Sequence, residues 1–179
     1  TVASVALGSG VSGVKKIGDV VPILVTFNEN VVVTGVPTLE LETGTTDGTA
    51  TYASGTGTSA LTFNYTVANT HVTSDLNYKA TTSLVLPSGV TIRDNLGTDA
   101  TLTLASPGNS GSLNHAETLY IDGVRPAASS TAATAGTKTI TITMSEPVSG
   151  SISNSTKDFS VTVNSSANAV TAVAVSGST

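Results

Sequence analysis

A phrase of strand-like residues occurs twice in this chain, and the distance between the two copies limits what the chain can fold into. The first copy, GDVVPILVTFNENVVVTGVPTLELETG, runs from Gly18 to Gly44, and a shorter version, GTKTITITMSEPVSG, runs from Gly136 to Gly150. Glu29 in the first copy corresponds to Glu146 in the second, 117 residues later. Because a repeat of this length is the size of one small β-domain, the sequence predicts one complete domain and the start of another.

Alternation of apolar and polar residues predicts β-strands along the whole chain. It is clearest in ALTFNYTVA, residues 60–68, where Leu61, Phe63 and Tyr65 alternate with polar residues. A period of two places one set of side chains in a core and the other in solvent. The predicted strands of the first unit are residues 2–7, 20–27, 31–34, 38–42, 49–54, 60–68, 78–86, 90–92, 101–104 and 118–122, and those of the second are a weak strand within 123–135 and then 139–144, 158–163 and 170–175.

These short strands, separated by turns at roughly 8–12-residue spacing, predict an all-β fold of tandem immunoglobulin-like antiparallel β-sandwiches. Residues 1–123 form the first sandwich, and residues 124–179 form a second, incomplete one. Half a sandwich leaves strand edges and an apolar face uncovered, which favours aggregation. We expect further chain or a neighbouring subunit to complete it, with residues 169–175 as a donated or accepting strand. Head-to-tail repetition of such a joint gives an open filament.

Composition excludes several classes of partner. Only 11% of the residues are charged and the formal net charge is −5, so we expect no binding to nucleic acid, which requires a basic surface. No apolar run approaches the roughly 20 residues of a membrane-spanning helix, so we expect no membrane insertion by this segment. The chain has no cysteine, so it has neither disulfides nor cysteine-ligated zinc.

Several phrases of the first unit resemble the bacterial immunoglobulin-like and cadherin-like repeats of giant extracellular proteins. They are the phrase from Gly18 to Gly44, YASGTGTSALTFNYTV, SDLNY, IRDNLGTDATLTL and IDGVRP, which together span nearly all of residues 1–126. TITITMSEPVSG and DFSVTVN, within residues 136–179, resemble a repeat of a cyanobacterial swimming-motility surface protein. The resemblance implies a sandwich fold, a cell-surface location, and a place in adhesins, filaments or surface layers. It brings no catalytic residues, and some relatives bind calcium between modules.

Four acidic residues predict a calcium site at the junction between the two units. In an up-and-down tracing, Asp19, Asp75 and Asp122 reach the same end of the first sandwich, and Glu146 lies on the facing end of the next. Ca²⁺ takes about six to eight oxygen ligands, so a bound ion would offset the repulsion of the carboxylates and stiffen the joint. The alternative is that all four are solvated loop acids, because the chain has no DxDxDG motif.

Two other sets of residues are candidates for chemistry. Asp94 and Asp99 flank one turn and form a second candidate cation pair, and their alternative role is hydrogen bonding within that turn. His71 and His115 are the only imidazoles, and catalysis would require a pocket that holds one of them beside a serine and a carboxylate. Because no GxSxG nucleophile motif occurs, we expect no enzymatic activity.

Two functions remain open from the sequence. The first is a structural repeat module, a mechanical spacer or adhesive element of an extracellular surface protein or filament that associates with copies of itself or with adjacent repeats. The second is a sandwich that binds a glycan or a host surface through exposed aromatic rings. The chain has no tryptophan, and after the core-patterned aromatics are set aside the candidates are Tyr52, Tyr78 and Tyr120.

Overall fold

The computed structural model describes residues 1–134, 136–148, 161–163, 166–168, 170 and 173. The chain divides into two units, Thr1–Val124 and Arg125–Thr179, which are described separately. Strands dominate the described residues of both units, which confirms the all-β class predicted from the alternating pattern. The elements of the first unit are β1 Val2–Leu7, β2 Val14–Lys16, β3 Val20–Thr34, β4 Thr38–Glu42, β5 Gly48–Ser54, β6 Thr58–Thr66, β7 Val72–Thr73, β8 Asn77–Tyr78, β9 Leu84–Val85, β10 Thr91–Asp94, α1 Leu113–Ala116 and β11 Tyr120–Asp122.

Strand β3 is the centre of the first unit. The sequence predicts two strands, 20–27 and 31–34, but they form one strand of 15 residues. The exposed residues 28–30 bridge the two parts, and the register against β6 shifts between Thr26 and Val31. The first part of β3 pairs with β1 and the last part with β10, both antiparallel. Pro22 is tolerated in β3 because it lies one residue beyond the end of the β1 ladder, where Leu7 pairs with Ile23.

The main sheet has the strand order β1-β3-β6-β5-β4-β8, with β10 added to β3 and β9 to β4, and every neighbouring pair is antiparallel. Its apolar face encloses the core, where Ile23, Leu61 and Phe63 have no exposed surface. Burial of each such side chain contributes about 1.5–3 kcal/mol. The opposite face carries several threonines, among them Thr49, Thr51 and Thr66, whose branched Cβ suits a strand while the hydroxyl faces solvent.

A second, three-stranded sheet lies at the exit of the first unit, in the order β2-β11-β7. Strand β11 runs parallel to β2 and antiparallel to β7. Ile121 of β11 is buried in the core, whereas its neighbour Tyr120 is 49% exposed. The sequence predicts β11, as part of residues 118–122, but not β2.

Other parts of the first unit also differ from the sequence predictions. Residues 101–104 form no strand, although Leu104 is buried and its N–H donates to the Thr81 carbonyl. Residues 78–86 contain only the short strands β8 and β9, since a turn separates them. Helix α1 was not predicted, because four residues carry no helical periodicity. Among the described residues, no helix is both long enough and apolar enough to cross a membrane.

The described part of the second unit consists of two hairpins. Strand β12, Ala128–Thr134, pairs with β13, Thr139–Met144, and β14, Val161–Val163, pairs with β15, Ser166–Asn168. Strand β13 coincides with the predicted strand 139–144, and β14 with the end of 158–163. The predicted strand 170–175 lies outside the described residues except for positions 170 and 173.

Candidate functional site

Two of the four predicted calcium ligands lie towards the same end of the small sheet. Asp19 follows β2, and its Oδ2 accepts a hydrogen bond from the Lys16 N–H at 3.0 Å. Asp122 ends β11, and because β2 and β11 are parallel it lies opposite Lys16. The Asp122 Oδ1 accepts from the Val124 N–H at 3.2 Å. Each carboxylate therefore already serves a local backbone donor.

Asp75 lies towards the other end of β11. Strand β7 runs antiparallel to β11, and the N–H of Leu76, next to Asp75, donates to the Leu119 carbonyl. The Asp75 Oδ2 accepts a hydrogen bond from Asn114 Nδ2 at 3.1 Å. Its Oδ1 is buried, without a hydrogen-bond partner among the described residues. The Asp75 carboxylate is thus held by α1 of its own unit.

Asn114 is the centre of this polar network. Its Oδ1 accepts from Asn77 Nδ2 at 2.6 Å, from the Gly108 N–H at 3.1 Å and from the Ser112 hydroxyl at 3.3 Å. Asn77 in turn accepts from the Tyr78 N–H. These bonds connect the loop before α1 with β8 and satisfy polar groups that burial would otherwise leave unpaired. The network has a structural role that the spacing of these residues does not reveal.

Glu146 belongs to the second unit, where its Oε1 is buried and has no hydrogen-bond partner among the described residues. Within the part of the chain that the structure describes, no three Asp, Glu or His side chains are grouped closely enough to hold a metal ion. The interdomain calcium site of Asp19, Asp75, Asp122 and Glu146 stays a prediction.

The turn that follows β10 uses Asp94 for backbone hydrogen bonds. Its Oδ1 accepts from the N–H groups of Leu96 and Thr98, each at 2.8 Å. The Thr98 N–H is the largest cause that lowers the pKa of Asp94 below its ordinary value. Asp99 pairs with Arg93, whose Nε lies 2.6 Å from Oδ1. Both acids therefore bond to groups of their own turn, which is the role that the sequence analysis gave as the alternative to cation binding.

A buried tyrosine–histidine pair is the most constrained polar group in the first unit. Tyr65 on β6 is fully buried, and His71 in the following turn is 7% exposed. The Tyr65 hydroxyl lies 2.8 Å from His71 Nδ1, and the two rings stack with centroids 5.7 Å apart. The Ala68 N–H donates to the same Nδ1 at 3.3 Å. Nδ1 therefore carries no proton, and the neutral ring is protonated on Nε2.

Burial changes the acidity of both rings. Burial raises the pKa of Tyr65 to about 12, so its hydroxyl stays protonated and donates to Nδ1. Burial also lowers the pKa of His71 below its ordinary value of 6.5, and the charge of Asp47 opposes this shift. Asp47 itself forms an ion pair with Lys79. The pair was missed from the sequence, because a histidine six residues after a core tyrosine has no recognisable signature.

The structure also places the other candidate residues. Tyr78 is buried and its hydroxyl donates to the Ala105 carbonyl, and the hydroxyl oxygen of partly buried Tyr52 accepts from the Thr56 N–H. Tyr120 is exposed. His115 lies exposed on α1, outside the shallow depression near β10 that Glu29, Asp94 and Asp99 help to line.

The chain was compared with protein-family models, with curated proteins and with solved structures, and none of the three comparisons found a match.

Proposed function

We propose that this chain is a structural repeat module of an extracellular surface protein or filament, built from immunoglobulin-like sandwiches and acting as a mechanical spacer or adhesive element. One observation carries the proposal: β2, near the entry of the first unit, pairs in parallel with β11, at its exit. Once β1 has been detached from β3, tension that pulls the two ends of the unit apart draws these parallel strands in opposite directions along their axes. Their hydrogen bonds are then loaded together, in shear.

The rest of the first unit supports the same role. Strand β3 is hydrogen-bonded along both edges, to β1 and β10 on one side and to β6 on the other. The core behind it contains Ile23, Leu61 and Phe63, which exclude water from the sheet. The polar residues Tyr65 and Asn114 are engaged in hydrogen bonds to their own unit.

Single-molecule force spectroscopy tests the proposal on the whole chain. Unfolding of the first unit should release about 40 nm of chain, estimated from its 124 residues. Lys15→Pro removes an N–H from the centre of β2 and should lower the unfolding force, whereas the control Lys15→Ala should keep it. Equal forces for the proline variant and the wild type would show that the β2–β11 pair does not resist the applied force. Electron microscopy of native material should show copies joined end to end on the cell surface.

The outward face of the small sheet favours a second candidate, recognition of a glycan or a host surface. Val14 and Tyr120 are register neighbours, and they are 63% and 49% exposed. Val72 on β7 is also exposed. An exposed aromatic ring with apolar neighbours can stack on the apolar face of a sugar. Binding on a glycan array that Tyr120→Ala abolishes would favour this function, and the absence of any signal would exclude it for the glycans tested.

A further inference from the structure

The turn of residues 68–71 is hydrogen-bonded to Gly123, near the end of the first unit. The Gly123 N–H donates to the His71 carbonyl at 2.7 Å, and the Thr70 N–H donates to the Gly123 carbonyl at 2.9 Å. A Cβ atom on Gly123 would lie 2.3 Å from the Ala68 carbonyl oxygen and 2.5 Å from that of His71. Gly123, directly after β11, is therefore pressed against the turn by backbone contacts alone.

The turn is strained and depends on the imidazole for its shape. Thr70 has φ of 74°, a left-handed conformation that a β-branched residue adopts at a cost of roughly 1–2 kcal/mol. The His71 N–H donates to the Ala68 carbonyl at 3.3 Å, and the Ala68 N–H donates back to His71 Nδ1. The side chain of His71 thus closes the turn, and the backbone carbonyl of the same residue binds Gly123.

Protonation would remove one of these bonds. A proton on Nδ1 turns that atom into a hydrogen-bond donor. It then faces the Ala68 N–H, which is also a donor and cannot accept a hydrogen bond. The Tyr65 hydroxyl can rotate and accept from the new N–H, since a hydroxyl both donates and accepts. Protonation therefore breaks the hydrogen bond from the Ala68 N–H to Nδ1, and the strain at Thr70 then favours opening of the turn.

We propose that His71 is a pH-sensitive latch: in its neutral form it closes the 68–71 turn over Gly123, and when protonated it releases the end of β11. The turn is bordered by the loop between β4 and β5, where the Thr43 carbonyl accepts from the Val72 N–H, by Gly48 of β5, by β7 and the end of β11, and by the segment that contains Asp19, whose carbonyl accepts from the Val67 N–H. Lys79 neutralises Asp47, the one charged group that acts on the His71 pKa. The titratable and charged residues on the elements packed around the turn, and in the segments next to them, are Lys16, Asp19, Glu40, Glu42, Asp47, Tyr52, Tyr65, Asp75, Tyr78, Lys79, Tyr120 and Asp122.

The direction of the pH response follows from the pKa of His71, which burial holds below its ordinary value of 6.5. When the turn opens, the ring regains its ordinary pKa and binds a proton more tightly than in the closed state. The closed turn is therefore fully stable above about pH 6.5 and weakens as the pH falls from there through the closed-state pKa. Acidification loosens the exit of the first unit, and neutral pH tightens it.

Amide hydrogen exchange by NMR on the whole chain tests the latch. The protection factors of the Gly123 and Thr70 amides should fall by up to about tenfold for each pH unit below 6.5 until the closed-state pKa is passed. The fall should level off at the pH at which the His71 ring titrates in the same spectra. Amides in β3 and β6 should keep their protection over this range.

Variants separate the latch from a general effect of acid. His71→Asn keeps an acceptor, its Oδ1, where Nδ1 stood, but it does not titrate, so protection of Gly123 should become independent of pH. His115→Gln, the matched control at the exposed histidine, should leave the wild-type response unchanged. The proposal fails if wild-type protection of Gly123 does not change between pH 7.5 and 5, or if its fall levels off with the titration of His115 and not with that of His71. The wild-type measurement decides the matter even if His71→Asn does not fold.

Discussion

Gly48 lies directly against the ring of Tyr65: a Cβ atom on Gly48 would be 2.8 Å from Tyr65 Cε2. The same atom would lie 3.3 Å from His71 Cε1 and 3.3 Å from Thr43 Cγ2. Gly48 begins β5 and is buried, so β5 can approach the tyrosine–histidine pair only because this position has no side chain. The close packing of the pair is therefore built into the main sheet.

Gly48→Ala should destabilise the first unit by about 1–3 kcal/mol, because the added methyl group overpacks the site and displaces the Tyr65 ring. Urea denaturation followed by tyrosine fluorescence measures this, since all four tyrosines belong to the first unit. Gly136→Ala is the control, because a Cβ there meets no atom within 4 Å. An unchanged midpoint for Gly48→Ala would contradict the close packing.

Asn114→Ala should destabilise the first unit by about 2 kcal/mol or more. It removes the acceptor of Asn77, Gly108 and Ser112 and the donor to Asp75, and buried polar groups left without partners carry the full desolvation cost. The same urea titration measures the change. Asn95→Ala, at an exposed turn position, should shift the midpoint little, and an equal shift for both variants would show that the network contributes nothing.

Thr70→Asn should stabilise the first unit by about 1 kcal/mol. Asparagine adopts the left-handed conformation more readily than a β-branched residue, and Thr70 has φ of 74°. Thermal unfolding should show a higher Tm. The same change at Thr66, an exposed position in β6, should lower the Tm because asparagine is a poor strand residue. A lower Tm for Thr70→Asn would show that the turn is not strained.

The calcium hypothesis predicts that added Ca²⁺ raises the Tm of the whole chain and that a chelator reverses the change, because an ion bound only by the folded state stabilises it. Asp122→Asn should remove the effect, and Glu117→Gln, at an exposed acid outside the predicted site, should preserve it. Equal Tm values and equal small-angle scattering with calcium and with chelator would exclude the site.

The period of two in the sequence determined the strand-rich class and the inward side of the main strands. Leu61, Phe63 and Tyr65 are buried as their alternation predicts, and Thr62 and Asn64 between them lie on the outward face. This part was readable because the face of a strand depends only on its own residues. The continuity of β3 was not readable, since polar residues 28–30 look like a turn, and only the paired residues before and after them make the strand continuous.

The tertiary structure alone decided which distant residues meet. The parallel pairing of β2 with β11, the Asn114 bond to Asp75 and the closure of Gly123 against the His71 turn each join segments tens of residues apart. Sequence periodicity says which way a side chain faces, but not which strand lies beside it, because the neighbour is set by the path of the whole chain. For the same reason a core tyrosine and a loop histidine became one buried pair only in the folded chain.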